Sequence, residues 1–328
     1  MKTSDKIVQY IKENGQVSAN NLSEYLGITD RAVRKQLKTL LEDGVLIKSG
    51  KPPKVFYSTA SPETKSVEIT ANSLVIAEKV KKVIDDNFFY VNPIGNQLMK
   101  WQGFSEWCRE RKQNPERMSE IYYKTFNKYN AFRKKGFIDG TRKIKSTFKD
   151  LALDKVFYSD FYSIEIFGKT RLGQELLYSK QSQDRELMNQ MIDKVKPAIL
   201  QIVDIYKIDG VGYIPPTVKR ERQLMRQIKQ RLNLGVRELN LVKIKTPVIV
   251  PQKTLNKLED RIVNAKETMV VDENGDFNNV LLIDDAVGSG ATLNEIAKKI
   301  RDKGICKGEI IGYAITGSAK GFDVISEV

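Results

Sequence analysis

Apolar positions follow different rhythms in different parts of this chain. From Ile7 to Leu41 they keep helical spacing: Ile7, Val8 and Ile11, then Leu22, Tyr25 and Leu26, then Val33, Leu37, Leu40 and Leu41. Asn14-Gly15, Gly27 and Gly44 divide the three stripes. Ser18 is placed to cap the second helix, and Thr29 or Asp30 the third. Val45–Lys48 and Val55–Ser58 then alternate like strands, joined by a stretch rich in turn residues, Ser49–Pro53. Further on, Ser61–Ser66 reads as a linker and Leu74–Ile84 as a helix.

The last part of the chain alternates short apolar runs with helical stripes. Val211–Ile214 is a strand that stops at Pro215-Pro216. Leu224, Ile228 and Leu232 mark a helix closed by Gly235, and Leu239–Ile244 is the next strand. Val280–Ile283 is an apolar run suited to a central parallel strand. Leu293, Ile296, Ala297 and Ile300 make one face of a helix over Ala291–Lys303, ended by Gly304, before a strand at Glu309–Ile315. This alternation predicts an α/β fold with a doubly wound, mostly parallel sheet. The expected domains are 1–60, 61–150 and 151–328.

Candidate chemistry gathers after Val280–Ile283. Asp284 and Asp285 fall at the strand's carboxyl end, where open α/β sheets bind ligands. Gly288, Ser289, Gly290 and Ala291 are small enough for backbone N–H groups to close on a phosphate. The following helix adds the positive end of its dipole. The layout is a site for a sugar phosphate.

This segment resembles the phosphoribosyl pyrophosphate (PRPP) motif of type I phosphoribosyltransferases: a hydrophobic strand, two acids, two variable residues, then Thr-Thr-Gly-Ala-Thr. Here Gly288, Ser289, Gly290, Ala291 and Thr292 hold the last five places. The resemblance implies that Asp284 and Asp285 hold the ribose hydroxyls. It implies that Ser289 to Thr292, with Val287 and Gly288 beside them, cradle the 5′-phosphate. Gly288 departs from the usual Thr and offers only its amide. Pro215–Gln223, and Pro251–Leu255 followed by Arg261 and Asn264, look like the ComF-like branch of the family. That resemblance makes Lys219, Arg220 and Arg222 candidates for pyrophosphate. It makes Lys253 and Arg261 candidates for a mobile lid, catalytic together with the acidic pair. Mg²⁺ is implied as the partner of PRPP, near Asp284 and Asp285. Cations on loops also commonly do no more than face water.

The three N-terminal helices and hairpin resemble a winged helix-turn-helix. In that motif the third helix enters the major groove of DNA. Thr29, Arg31, Arg34, Lys35 and Lys38 belong to that helix, and Lys48, Lys51 and Lys54 to the wing. Residues 1–60 hold ten Lys+Arg against six Asp+Glu. Residues 100–150 hold fourteen against six, a net +8 of the chain's +14. Phe88, Phe89, Tyr90, Trp101, Phe104, Trp107, Tyr122, Tyr123, Phe126, Tyr129 and Phe132 run through this middle region. Interleaved rings and cations suit single-stranded nucleic acid. Rings at helical spacing equally suit a core.

There is no histidine, so the commonest general base and metal ligand is missing. Cys108 and Cys306 are too isolated to suggest a disulfide scaffold or a zinc cluster. No apolar run approaches the length of a membrane span, and Met1–Asp5 does not open like a signal peptide. These features lead us to expect a cytoplasmic protein with no membrane partner and leave room for a homo-oligomer. Three functions fit. One is phosphoribosyl transfer with release of pyrophosphate. Another is a non-catalytic PRPP- or nucleotide-sensing DNA-binding regulator, for which a purine repressor of the same family combination is the precedent. The third, by analogy with retron and competence systems, is an antiphage effector or a DNA-handling protein.

Overall fold

The computed structural model describes residues 3–51, 54–59, 76–218, 220–244, 246, 250, 255 and 257–318. Its contacts separate two units, Met1–Val75 and Ile76–Val328.

The N-terminal unit contains α1 (Thr3–Asn14), α2 (Ala19–Leu26), α3 (Asp30–Glu42) and an antiparallel hairpin of β1 (Leu46–Lys51) and β2 (Lys54–Thr59). Ser18 and Asn21 form a reciprocal capping box on α2, and Gly27 ends that helix with φ +62°. Thr29, not Asp30, caps α3: its side chain accepts from the Ala32 amide at 3.3 Å. Ile7, Ile11, Leu22, Val33, Leu37 and Leu40 meet Val17, Leu46 and Tyr57 in one small core. Tyr25, expected on an apolar face, is half exposed and stacks on Tyr10 at 4.1 Å.

The second unit opens with α4 (Glu78–Asn87), β3 (Phe89–Val91), β4 (Gln97–Met99), α5 (Lys100–Glu110), α6 (Pro115–Asn130), β5 (Arg133–Lys134), β6 (Phe137–Asp139) and α7 (Thr141–Thr147). Next come β7 (Lys155–Phe161), β8 (Ser163–Ile164), β9 (Gly168–Lys169), α8 (Arg171–Ser182), α9 (Arg185–Ile205) and β10 (Gly210–Tyr213). It closes with α10 (Leu224–Leu232), β11 (Arg237–Leu239), β12 (Leu241–Lys243), α11 (Leu258–Thr268), β13 (Met269–Val271), β14 (Val280–Val287), α12 (Ala291–Asp302) and β15 (Ile310–Gly317).

Seven strands form one sheet in the order β11-β10-β14-β15-β7-β6-β5. The first five are mutually parallel, and β6 and β5 add an antiparallel edge. Both faces are covered, as a mostly parallel sheet requires. Leu281, Ile283, Ile311 and Tyr313 pack with Leu176, Ile192, Ile199 and Ile228 of α8, α9 and α10. Val280, Leu282, Ile310 and Ala314 pack on the other side with Leu293, Ile296 and Ile300 of α12.

Three expectations need correction. The middle region does not stand apart, because residues 76–150 pack in the same unit as the sheet. β5 and β6 extend that sheet, and Phe88, Phe104, Trp107 and Tyr122 join the core on its α12 side. Phe88 meets Phe104 edge-on at 5.0 Å, and Tyr122 meets Phe167 at 5.0 Å. These rings are core, not a stacking platform. Within the expected aromatic set, Phe132 stands out as exposed, at 57%. Next, the strand expected at 239–244 is two strands. Asn240 bonds Asp272 through both side chain (3.0 Å) and backbone (2.9 Å), so the chain leaves the large sheet and β12 pairs with β13 instead. Last, the central strand does not stop at Ile283. β14 stays paired with β15 out to Val287–Gly317, so the acidic pair lies within the strand. The linker at 61–66, Leu74, Lys219 and the Pro251–Thr254 loop with Lys253 lie outside the described residues.

Candidate functional site

Both acids lie within β14, and their carboxyl groups meet different partners. Asp285 falls on the α8 side, where Lys180 Nζ donates to its Oδ2 at 2.9 Å. Asp284 accepts the Asp285 amide at 2.8 Å. Burial, reinforced by the neighbouring Asp285 charge, pushes the Asp284 carboxyl up to about 7. The Asp285 amide, Lys180 and Lys243 only partly oppose this rise.

After Val287 the chain turns through Gly288, Ser289 and Gly290 into α12. Gly290 has φ +81° and caps the helix without a side-chain bond. Ser289 is buried, and its Oγ accepts the Ala291 amide at 3.3 Å. The first-turn amides of α12 and its positive dipole end therefore open onto this loop. The loop is supported from the middle region, since a Cβ on Gly290 would lie 2.8 Å from Ile144 of α7. Asn294, fully buried one turn into α12, bonds the Asp150 carbonyl (3.1 Å) and the Ala152 amide (2.9 Å) and fixes the helix from the same side.

One cavity of about 180 Å³ unites these parts. Asp284, Asp285, the 287–292 loop, Arg220 and Arg261 all line it. Arg261 is buried in the first turn of α11, and its Nε donates to the Leu255 carbonyl at 2.7 Å. Burial holds its guanidinium below the ordinary arginine range. Arg222 departs from expectation: it is exposed, and its amide donates to Gln183 Oε1 at 2.9 Å. It does not line the cavity.

Two site residues escaped the sequence reading. Lys180 lines the cavity from α8. Lys243 of β12 donates to Thr217 Oγ1 at 3.1 Å. Burial pulls Lys243 below the usual lysine range, against the opposing charge of Asp284. Neither belongs to a recognisable motif. The only available signal was a lone lysine near the end of an amphipathic helix and another closing a strand.

In the N-terminal unit, Arg31, Arg34, Lys35 and Lys38 are all exposed on α3. Arg34 pairs with Asp30 at 2.7 Å, and Lys38 lies 3.8 Å from Glu42. Such solvated pairs are worth little and open readily for another anion. The family model of an HTH domain matches residues 3–51. That match spans α1 to β1 and supports nucleic-acid binding by this unit. No curated protein matches the chain. Among the described residues no helix is long and apolar enough to cross a membrane.

Proposed function

We propose that the α/β unit binds PRPP or a related phosphoribosyl ligand and transfers its phosphoribosyl group with release of pyrophosphate, while the helix-turn-helix unit binds DNA. The observation that carries the reading is one cavity containing an acid pair, a glycine-ended phosphate loop at a helix N-terminus and two arginines. In this reading the amides of Ser289 to Thr292 take the 5′-phosphate and Asp284 meets the ribose hydroxyls. Arg220 and Arg261 face the diphosphate, and Lys219 and Lys253 are further candidates for it. An acceptor attacks C1′, the C1′–O bond breaks, and pyrophosphate leaves with the electron pair.

Among the described residues no group of three or more His, Cys, Asp or Glu gathers to hold a metal. Mg²⁺ would enter with PRPP near Asp284 and Asp285 and would neutralise charge on the leaving pyrophosphate. Calorimetry with PRPP and Mg²⁺ tests binding, and absence of heat from folded protein defeats it. Pyrophosphate release with a panel of bases, nucleotides and single-stranded DNA tests transfer. The helix-turn-helix match on the same chain favours a second reading, a ligand-controlled DNA binder. Tight PRPP binding without turnover on any acceptor, together with a PRPP-dependent change in DNA affinity, would select it.

A further inference from the structure

We propose that Lys180 is a positioning residue of this site, whose ammonium fixes Asp285 on the α8 face and leaves Asp284 as the acid that meets the sugar. The proposal rests on the phosphoribosyl reading above and goes beyond its motif, since Lys180 lies on a helix about a hundred residues earlier.

Geometry supports the division of labour. Lys180 Nζ and Asp285 Oδ2 are 2.9 Å apart, with side chains only 11% and 19% exposed. Little water reaches this pair, so removing the lysine alone would strand a carboxylate with no counter-charge beside it. α8 is held in place by Leu172 and Leu176 in the core on its side of the sheet, so the ammonium is delivered from a rigid element. Asp284 lines the same cavity as the loop before α12. A sugar with its 5′-phosphate in that loop lies in the cavity that Asp284 lines, while Lys180 holds Asp285.

Charged groups approach the acids from each neighbouring element. Lys180 comes from α8 and Lys243 from β12. Arg261 comes from α11 and Arg220 from the loop after β10. On α12 the nearest acid, Glu295, is buried and lies 3.5 Å from Lys298. Loss of Lys180 removes one of the two lysines that hold the Asp284 carboxyl down. Protonation of Asp284 should then persist to higher pH, and a protonated acid accepts fewer hydrogen bonds from a diol.

The test compares Lys180→Met and Lys180→Arg in the full chain. ¹³C NMR of carboxyl-labelled aspartate follows the ligand-free protein, with Asp284→Asn for assignment. The midpoint of Asp284 should move up by about one pH unit in Lys180→Met and stay in place in Lys180→Arg. Calorimetry with PRPP and Mg²⁺ should give about fivefold weaker binding for Lys180→Met at pH 7 that recovers at pH 9. An unmoved Asp284 midpoint in folded Lys180→Met overturns the proposal, and so does an affinity loss equal at both pH values. If the wild type binds no PRPP, the phosphoribosyl reading fails, while the ligand-free titration still decides the role of Lys180.

Discussion

The α3 helix and the loop before α12 both present groups suited to phosphate, but they are built in opposite ways. On α3 the cations are exposed, and their pairs with Asp30 and Glu42 are local, one helical turn apart. In the cavity each group depends on partners distant in sequence: Asp285 on Lys180, Gly290 on Ile144, and Asn294 on Asp150 and Ala152. A polymer whose sequence and bends vary needs an accessible, adaptable surface. A small sugar phosphate needs fixed groups inside a shaped space. Substitutions in the cavity should therefore disturb fold and binding together, whereas substitutions on α3 should separate them.

The largest effect is expected from Gly290→Val. The position has φ +81°, which a β-branched residue adopts only under strain, and its new side chain meets Ile144. Destabilisation of about 2–4 kcal/mol is expected by thermal or urea unfolding, with loss of PRPP binding. The Ile144→Ala background sharpens the test: it should relieve the crowding but not the backbone strain. A fully stable Gly290→Val that still binds PRPP would break the contrast at its strongest point.

Asp284→Asn comes next, and its sign depends on pH. Asp284 titrates near 7 in the native state against an ordinary 3.8. Between those values the folded protein keeps a proton that the unfolded chain has lost, so this group lowers stability as pH rises from about 4 to 7. Asparagine removes that loss. The variant should equal the wild type near pH 4 and exceed it at pH 8, by about 1–3 kcal/mol after allowance for partial solvent access. PRPP affinity should fall in the same variant. Stability curves that differ equally at all pH values would show that Asp284 carries no buried charge cost.

The same contrast explains what could be read from the chain before its structure was known. Ser18, Gly27 and Thr29 announce the N-terminal helices because caps act within a few residues. Val280–Ile283 followed by Asp284, Asp285 and the small-residue loop announces the cavity floor for the same reason. The division between Asp284 and Asp285 was not legible, since it depends on the lysine that a distant helix brings to Asp285. Lys180 and Lys243 were hidden because only the fold brings α8 and β12 to the acids. The aromatics at 88–126 fitted two outcomes. Burial against Phe167 and the sheet decided between them, and no local spacing reveals that contact.

Thr29→Ala tests the local side of the contrast. Its hydroxyl caps α3 through the Ala32 amide, so the N-terminal unit should lose about 1 kcal/mol of stability, while PRPP binding stays unchanged. Circular dichroism and calorimetry on the same variant check both halves. A change in PRPP affinity would mean that the cap matters to the cavity as well.

The smallest stability effect belongs to Arg31→Ala, and its value lies in that smallness. Arg31 is exposed at the start of α3, where its charge is not needed to close the core of Ile7, Leu22, Val33 and Leu37. Unfolding should shift by no more than about 0.5 kcal/mol. If Arg31 meets a DNA phosphate, the slope of log affinity against log salt should become shallower by about one. Lys35→Ala, exposed one turn further along the helix, should add a similar decrement if it meets a second phosphate. A contact to a base edge would leave a different trace: weaker binding to one sequence and little change on others. Arg31→Ala that unfolds the unit would put this residue among the structural groups. Arg31→Ala that leaves both slope and sequence preference untouched would move the nucleic-acid surface off the start of α3.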